Sequence, residues 1–291
     1  MAVHLMKRRR PNPQRITHTF VSNEIEVRCK KNIMDDRKKF GDTVGKRDSK
    51  ILEIITAEHK VEVAVLSDVL GVSEVTVRKD LDALQAKGLV VREHGFATLA
   101  NPNDVGGRLA YHYEEKLRIA RAAASLVADG STVMVENGSC CALLARELAD
   151  TKSGVTIVTN SAFIAAYVRD SARVAVTLLG GVYQHDSQVM VGPLVRTCAQ
   201  EFYVDRLFVG IDGWIRGVGF TNADQMRADA VRAMAESAAE VVALTESEKF
   251  GQRGAVPMRL AGKKVSVITD GNVSDDTRLS LDGDGVELSV V

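Results

Sequence analysis

The chain has 291 residues, enough for two domains, and its 45% hydrophobic and 26% charged residues are typical of globular proteins, not of disordered chains. Its net charge is zero, no stretch approaches the ~20 apolar residues of a membrane span, and no apolar segment follows the first basic residues as in a secretory signal. We therefore expect a cytoplasmic protein with no membrane partner.

The zero net charge conceals an uneven distribution along the chain. Residues 1–47 hold 13 basic and 5 acidic residues and have little periodic apolar pattern. This composition predicts a disordered basic arm, which can follow a polyanion without sequence preference. The alternative for residues 1–33 is an expendable extension, with translation starting at Met34.

The periodic apolar pattern begins at residue 48. The stretch DSKILEIITAEHK predicts a helix that Asp48 caps, and VEVAVLSDVLGV predicts a second, short helix ending at Gly71. A third helix is predicted in VSEVTVRKDLDALQAKGLV, with Ser73 as its N-cap and apolar residues at core spacing from Val77 onward. Two helices joined by a tight turn form a helix-turn-helix.

The segment after the third helix predicts a wing. In LVVREHGFATLA, apolar and polar residues alternate as two short strands around His94 and Gly95. Residues 48–100 are therefore predicted to form a winged helix-turn-helix.

The third helix offers a face suited to DNA. Its apolar face is buried, which leaves Ser73, Thr76, Arg78 and Lys79 exposed in its amino-terminal half. Arginine binds guanine edges in the major groove, and lysine neutralises backbone phosphates. On these residues alone, a solvated helix face is an equal alternative, because arginine and lysine are the commonest residues there. The charge balance of residues 48–100, with 6 basic against 9 acidic residues, tells against DNA binding.

The run VSEVTVRKDLDAL followed by GLVVREHG resembles the DNA-binding domain of the DeoR family of bacterial repressors. The family pattern is close to VS-x-x-TIRRDL-x-x-L-x-x-x-G-x-x-x-R-x-HGG, and here Val77 replaces isoleucine, Lys79 the second arginine and Phe96 the second wing glycine. Phe96 leaves an aromatic ring at the wing in place of a flexible residue. The DNA contacts that the resemblance implies are Ser73, Thr76, Arg78, Lys79, Arg92 and His94.

The rest of the chain predicts an α/β domain. NPNDVGGR indicates a linker over residues 101–110, and in residues 111–291 a helix, YEEKLRIARAAASLVADG, precedes valine- and isoleucine-rich strands that alternate with helical patterns such as Ala223–Ala239. The predicted strands are Thr132–Glu136, Val155–Thr159, Val174–Leu179, Arg206–Gly210, Glu240–Leu244 and Lys264–Thr269. Such alternation predicts a mostly parallel, doubly wound sheet, in which ligands lie beyond the carboxyl ends of the strands.

The loops that follow these strands share one chemistry. They are rich in glycines and small polar residues, with one carboxylate and one lysine: Asn137, Gly138, Ser139, Cys140, Thr159, Asn160, Gly180, Gly181, Asp212, Gly213 and Lys249. A phosphorylated polyol suits this set, with its hydroxyls on Asn160 and Asp212 and its phosphate between the Ser139 turn and Lys249. Ordinary loop and cap chemistry is the alternative for any single loop.

The resemblance to the DeoR family extends through this domain, over about residues 48–272. The segments KLRIARAAASLVADG, VTNSAFIA, LLGGVYQHDS, VGIDG, GFT and ESEKFG match the family's sensor domain in order and spacing. The resemblance implies a fold like that of ribose-5-phosphate isomerase and glucosamine-6-phosphate deaminase, and a sugar-phosphate effector. The chain departs at the first loop, where Glu136–Cys140 replaces a common D-S-G-T-T.

Other site types have little support in the sequence. The four cysteines form no C-x-x-C pair and predict reduced thiols: Cys29, Cys140, Cys141 and Cys198. His112 and His185 stand alone, and the first strand lacks the G-x-G-x-x-G of a dinucleotide site, so we expect no metal and no cofactor.

The sequence thus predicts a repressor of carbohydrate-metabolism genes that binds double-stranded operator DNA as a homo-oligomer, dimer or tetramer. A phosphorylated sugar would release it by coupling between two sites. The alternative is an isomerase-like enzyme using Glu136, Asp212 and Lys249, but the chain lacks the extended acidic motif of those isomerases.

Overall fold

The computed structural model describes residues 46–58, 60–86, 89–100, 105–260 and 262–291. The predicted basic arm lies outside these residues except for Lys46 and Arg47, which begin the first helix. None of the helices in the described ranges is long and apolar enough to cross a membrane.

The amino-terminal part is the predicted winged helix-turn-helix. Its elements are α1 (Lys46–Glu58), β1 (Lys60–Glu62), α2 (Val63–Leu70), α3 (Glu74–Ala86), β2 (Val90–Glu93) and β3 (Phe96–Leu99). The helices pack through aliphatic side chains with no exposed surface, among them Ile51, Leu66, Leu81 and Leu84. Burying each such side chain stabilises the fold by about 1.5–3 kcal/mol.

Two local features shape this domain: the end of α2 and the short strand β1. Gly71 takes the left-handed conformation, with φ of 65°, and ends α2, as the sequence predicts. The sequence predicts helix from Val61, but residues 60–62 instead form β1, which pairs antiparallel with β3. The reason is the alternation in this stretch, because Val61 is buried between two exposed charged residues.

The carboxyl-terminal part is built on a parallel sheet of seven strands, which confirms the predicted fold class. The sheet strands are β4 (Thr132–Val135), β5 (Val155–Thr159), β6 (Val174–Leu178), β9 (Val204–Val209), β12 (Ala238–Leu244), β14 (Lys264–Thr269) and β15 (Glu287–Val290). Short strands form two side sheets: β7 (Val182–Gln184) with β8 (Val189–Val191), and β10 (Gly213–Ile215) with β11 (Gly219–Asn222) and β13 (Val256–Pro257).

Helices cover both faces of the seven-stranded sheet. They are α4 (Val105–Ala110), α5 (Tyr113–Ser125), α6 (Ser139–Thr151), α7 (Ala162–Tyr167), α8 (Pro193–Ala199), α9 (Gln225–Glu236) and α10 (Asp275–Gly283). Buried residues of α4 to α7 join one apolar core and those of α8 to α10 the other. This two-sided burial explains why the strands are runs of valine and isoleucine without polar alternation.

The predicted linker needs a correction. Residues 105–110 form the helix α4, and its Val105 and Leu109 are buried in the core of the sheet domain. Two glycines in VGGRLA give the segment low helix propensity, so its helical state depends on tertiary packing. Residues 105–110 of the predicted linker are therefore anchored to the sheet domain.

The strand order places a crevice at the centre of the sheet. The order is β15-β14-β12-β9-β4-β5-β6, so the chain runs outward from β4 in one direction and from β9 in the other. Parallel sheets bind ligands where the order reverses, beyond the carboxyl ends of the two strands. Here that point lies between Val135 and Val209.

Candidate functional site

A polar crevice occupies the point where the strand order reverses. It encloses about 380 Å³, a volume that includes its open mouth. The residues that line it are Arg108, Glu136, Asn137, Gly138, Ser139, Cys140, Gly210, Ile211, Asp212, Asn222, Arg227, Leu244, Glu246 and Lys249.

Glu136 is a buried acid directly after β4. One of its carboxylate oxygens, Oε2, accepts a hydrogen bond of 3.2 Å from the backbone N–H of Gly210. Burial raises the pKa of Glu136 to about 8, and neither this hydrogen bond nor the positive charge of Arg227 offsets it. At neutral pH the group therefore holds a proton and adds no negative charge to the crevice.

Glu246, two residues after the end of β12, is buried in a different environment. Its Oε1 lies 2.9 Å from Nζ of Lys116, a lysine that is itself 1% exposed. Burial alone would raise the pKa of Glu246, but the charges of Lys116 and Lys249 outweigh burial and lower the pKa to about 2. Lys116 also donates hydrogen bonds to the carbonyls of Arg108 and Tyr111, so it fixes the end of α4 to the end of β12.

Three cationic side chains from separate elements reach the crevice. Arg108 comes from α4, Arg227 from the first turn of α9, and Lys249 from the 3₁₀ turn Ser247–Gly251. Lys249 Nζ donates a hydrogen bond of 3.0 Å to the carbonyl of Ile211. A guanidinium nitrogen of Arg227 lies 3.9 Å from Asp212 Oδ2. Together they surround the crevice with positive charge.

The amino terminus of α6 points at the same crevice. Its N-cap is Gly138, which has no side chain to cap the first turn, and the next residues, Ser139 and Cys140, also line the crevice. The first N–H groups of a helix lack acceptors within the helix, and the helix dipole makes this end positive. Backbone donors therefore add to the positive charge of the side chains.

Cys140 lies against the buried carboxylate of Glu246. Its Sγ is 3.6 Å from Glu246 Oε2, and burial raises the pKa of the thiol, so it stays protonated and donates to the carboxylate. Cys140 and Cys141 are buried free cysteines and Cys198 is half-buried, whereas Cys29 lies outside the described residues.

Six of the predicted effector residues come together at the crevice: Asn137, Gly138, Ser139, Cys140, Asp212 and Lys249. Asn137 also makes hydrogen bonds to other loops. Its Oδ1 accepts a hydrogen bond of 2.9 Å from the hydroxyl of Ser161, and its Nδ2 donates to the carbonyl of Ser187. It therefore ties the first loop to two neighbouring loops.

The other five lie outside the crevice lining and serve the scaffold. Thr159 Oγ1 accepts from the N–H of Ser161 at 3.0 Å, and Asn160 Nδ2 donates to the carbonyl of Met190 at 3.1 Å. Gly213 packs on the backbone of Gln252, where a Cβ would lie 2.4 Å from a carbonyl oxygen. Gly181 makes a similar close approach to the carbonyl of Val191, while the neighbouring Gly180 is exposed.

Several lining residues were not predicted as binding residues: Arg108, Glu136, Asn222, Arg227 and Glu246. Arg108 lies in the predicted linker, and the sequence suggests Glu136 only as an acid of the enzyme alternative. A signal was present for Glu136 and Glu246, since each is a charged residue that closely follows a buried strand. No local pattern marks Arg227 as a binding residue. It lies in the first turn of α9, the helix that Asp224 caps, and this turn reaches the crevice.

The predicted DNA contacts lie along α3 and the wing. Ser73 Oγ accepts from the N–H of Thr76 at 3.3 Å and so caps the helix, while Arg78 and Lys79 are exposed. In the absence of DNA, Arg78 pairs with Glu74 on the same helix. The cap and the exposed cations leave this end of α3 able to receive a phosphate or a base edge.

The wing residues occupy defined positions beside α3. Arg92 pairs with Asp82 at 3.0 Å, and its backbone N–H donates to Gln85 Oε1 at 3.0 Å. His94 is exposed at the turn of the wing, with φ of 46°. Next to it, the ring of Phe96 lies 4.4 Å from Nζ of Lys60, so it packs on the domain under a cation.

One exposed apolar side chain on α3 was not predicted. Val75 is 73% exposed, and it precedes Arg78 and Lys79 by three and four residues on the helix. Residues at this spacing share a face, so Val75 stands beside the two cations. An apolar side chain in this position can contact a thymine methyl group in the major groove.

The chain matches two family models, a DeoR-like helix-turn-helix domain over residues 47–103 and a DeoR C terminal sensor domain over residues 111–271. It is similar to the HTH-type transcriptional regulator GolR of Listeria innocua, with 28% identity over 78% of this chain and 91% of that protein. It is also similar to the putative aga operon transcriptional repressor of Escherichia coli O157:H7, with 28% identity over 84% and 93%. The lactose phosphotransferase system repressor of Lactococcus lactis is 28% identical over 79% and 92%.

Among solved structures, ribose 5-phosphate isomerase A from Methanocaldococcus jannaschii aligns with 48% of this chain and 55% of its own length. The identity is 19% and the TM-score 0.36, a likeness too low to support a conclusion.

Proposed function

The chain is a member of the DeoR family of transcriptional regulators, and from this membership we propose that it represses carbohydrate-metabolism genes until a phosphorylated sugar releases it from operator DNA. The sugar class is supported by one relative, which is named as the repressor of a lactose phosphotransferase system. The observation that carries the proposal is the crevice, where three cations and a helix amino terminus converge.

The phosphate would be held between Lys249, Arg108 and the first turn of α6. A phosphate at neutral pH has about −1.5 to −2 charges and three acceptor oxygens, which suit ammonium, guanidinium and backbone N–H donors. Because Glu136 is protonated at neutral pH, the nearest buried acid does not repel the anion. Glu246 is neutralised by Lys116.

The sugar would be recognised by Asp212 and Asn222, which also line the crevice. Their side-chain oxygens and nitrogen can pair with hydroxyl groups. Asp212 Oδ2 already accepts from the N–H of Ala223 at 2.9 Å, which fixes its orientation. A fixed carboxylate and amide favour a polyol over an apolar ligand.

Release from DNA would follow from the path of the chain. Arg108 lines the crevice and belongs to α4, and α4 also packs against α1 of the winged domain. A ligand that binds Arg108 would therefore act on α4, a helix that contacts both the sheet domain and the winged domain. The operator would be contacted by residues of α3 and the wing: Ser73, Thr76, Arg78, Lys79, Arg92 and His94.

We also propose a homo-oligomer, because paired winged domains read the two halves of a palindromic operator. Large apolar side chains lie exposed on the sheet domain, including Leu194 at 60% and Tyr203 at 76%, and these favour a protein interface. Sedimentation equilibrium tests this proposal, and a monomer at micromolar concentration would contradict it.

The test of function starts from an operator selected by the protein from random duplexes. The protein bound to that operator is titrated with sugars and with the same sugars phosphorylated, and the fraction of bound DNA is measured. We expect at least one phosphorylated sugar to release the DNA and its unphosphorylated form to be inactive. If no phosphorylated sugar changes DNA binding, the proposed effector class is wrong.

The same mixtures test the isomerase-like alternative. A crevice with Glu136, Asp212 and Lys249 has the residue types of acid-base chemistry, and the family membership alone does not exclude turnover. We propose binding without chemistry, since Lys249 is held on the carbonyl of Ile211 and Asp212 on a backbone N–H. Appearance of an isomerised sugar phosphate would overturn this.

A further inference from the structure

The two parts of the chain meet at a cluster of polar side chains around His112. His112 Nε2 lies 3.4 Å from Oε1 of Glu53 on α1, and Nδ1 lies 4.0 Å from Oε2 of Glu248. The same Glu248 oxygen accepts a hydrogen bond of 2.7 Å from the hydroxyl of Tyr111. The rings of Tyr111 and His112 stack with centroids 3.9 Å apart.

The backbone holds His112 in an unfavourable conformation. Its φ of 49° lies in the left-handed region, which residues with a Cβ seldom adopt. The residue immediately precedes α5, and its carbonyl accepts the first hydrogen bond of that helix, from the N–H of Lys116 at 3.0 Å. The packed helix therefore fixes the direction of the imidazole toward α1, and such strain tends to occur where the geometry has a role.

The cluster is also attached to the crevice. Glu248 and Lys249 are neighbours in the 3₁₀ turn Ser247–Gly251, with Glu248 facing His112 and Lys249 lining the crevice. The ammonium group of Lys249 donates a hydrogen bond to the carbonyl of Ile211. An anion bound by the ammonium group of Lys249 would pull that side chain into the crevice, and the short turn would move with it and carry Glu248 along.

We propose that His112 is a positioning residue that links the crevice to the winged domain. His112 bridges Glu248 and Glu53 and so holds α1 in the arrangement that binds operator. A ligand on Lys249 displaces Glu248, and the bridge to Glu53 opens. This inference rests on the proposed function for the identity of the ligand, but the bridge itself can be tested without any ligand.

A metal ion is the competing explanation of the cluster. His112, Glu246 and Glu248 offer ligand atoms within 4.8 Å of one another. Glu246, however, is already paired with the ammonium group of Lys116 at 2.9 Å, which leaves a cation only two ligands. A bridge between two domains fits the cluster better than a metal site.

The experiment measures operator affinity of the full chain without effector, for His112→Ala, Glu53→Gln and the double variant. We expect each single variant to bind the selected operator about 3–10-fold more weakly and the double variant no more weakly than the worse single one, since both changes break one bridge. His112→Gln, which can still donate to Glu53, should regain most of the affinity. Glu58→Gln, a change of an exposed acid on the same helix, is the matched control and should bind like wild type.

Other outcomes overturn the bridge. Wild-type affinity in both single variants, or losses that simply add in the double variant, would exclude it. Thermal unfolding of each variant checks that the chain is folded, and an affinity that falls in a chelator would assign the cluster to a metal instead. Failure of the proposed function is a separate result, in which wild type binds operator but ignores every sugar phosphate.

Discussion

Two glutamates of the crevice show how position decides the charge of one residue type. Glu136 and Glu246 each end the run of a central strand, and both are at most 3% exposed. Among the described residues, the hydrogen-bond donor to Glu136 is a backbone N–H, whereas Glu246 has the ammonium of Lys116, 130 positions earlier in the chain. The sequence can indicate that these acids follow strands, but partners so distant are set by the fold.

This difference predicts a pH-dependent stability. The pKa of Glu136 rises from about 4.5 in the unfolded chain to about 8 in the folded protein, so the folded state binds more protons between these values. The free energy of unfolding should therefore fall as pH rises from 4.5 to 8, by at most about 1.4 kcal/mol per pH unit from this group. In Glu136→Gln that contribution disappears.

Urea unfolding of wild type and Glu136→Gln at one-unit steps from pH 5 to pH 9 measures the effect. The difference in free energy of unfolding between the two proteins should move in favour of the variant as pH rises, and level off above pH 8. A difference that stays constant with pH would mean that Glu136 ionises normally in the folded chain.

The sequence predicts the strands that are long runs of valine and isoleucine, but it does not predict the shortest strands and helices. Val155–Thr159 and Lys264–Thr269 begin and end where the sequence predicts, because central strands of a parallel sheet are apolar on both faces. Strands of three residues, such as β1 and β10, have too little pattern to predict. The helix α4 depends on packing of Val105 and Leu109 that no local signal shows.

The recognition element α3 gives a prediction about DNA. Arg78→Ala should weaken binding to the selected operator by about 1–3 kcal/mol and relax the preference at one base position, because a forked contact to guanine is lost. Lys79→Ala should weaken binding to all sequences alike and reduce the slope of log affinity against log salt by about one. Both side chains are exposed, so neither change should alter the fold.

Binding of each variant to operator and to unrelated duplexes at several salt concentrations separates the two effects. Arg169→Ala is the control, since Arg169 is an exposed arginine of the sheet domain with 67% of its side chain exposed. If Arg78→Ala and Lys79→Ala bind operator like this control, α3 does not read the DNA.

For the whole molecule, the charge count was a poor guide because the structure pairs charges locally. The winged domain has more acidic than basic residues, yet Asp80 pairs with Arg47 at 2.6 Å and Asp82 with Arg92 at 3.0 Å. Paired charges of this kind largely cancel one another at a distance, so the net count over the domain says little about the surface around Lys79. The crevice likewise joins residues from α4 to the 3₁₀ turn, a span that only the complete fold brings together.

Coupling between crevice and DNA gives a prediction for the whole molecule. Lys249→Ala removes a charge-assisted contact to the phosphate, worth about 1.5–3 kcal/mol, and should weaken effector binding roughly ten- to a hundredfold. Operator affinity without effector should stay close to wild type, because no anion then pulls on the turn that carries Glu248, and the ammonium group that is removed bonds within the sheet domain, to the carbonyl of Ile211. The variant would then repress without responding.

The measurement is titration of operator-bound protein with the sugar phosphate that releases wild type. Lys264→Ala is the matched control. Lys264 begins β14 and so lies at the amino-terminal ends of the strands, whereas the crevice lies beyond their carboxyl ends. A response of Lys249→Ala equal to that of wild type would remove Lys249 from the site. Loss of stability together with operator binding would show that Lys249 is structural, because a ligand contact can be removed without weakening the domain that binds DNA.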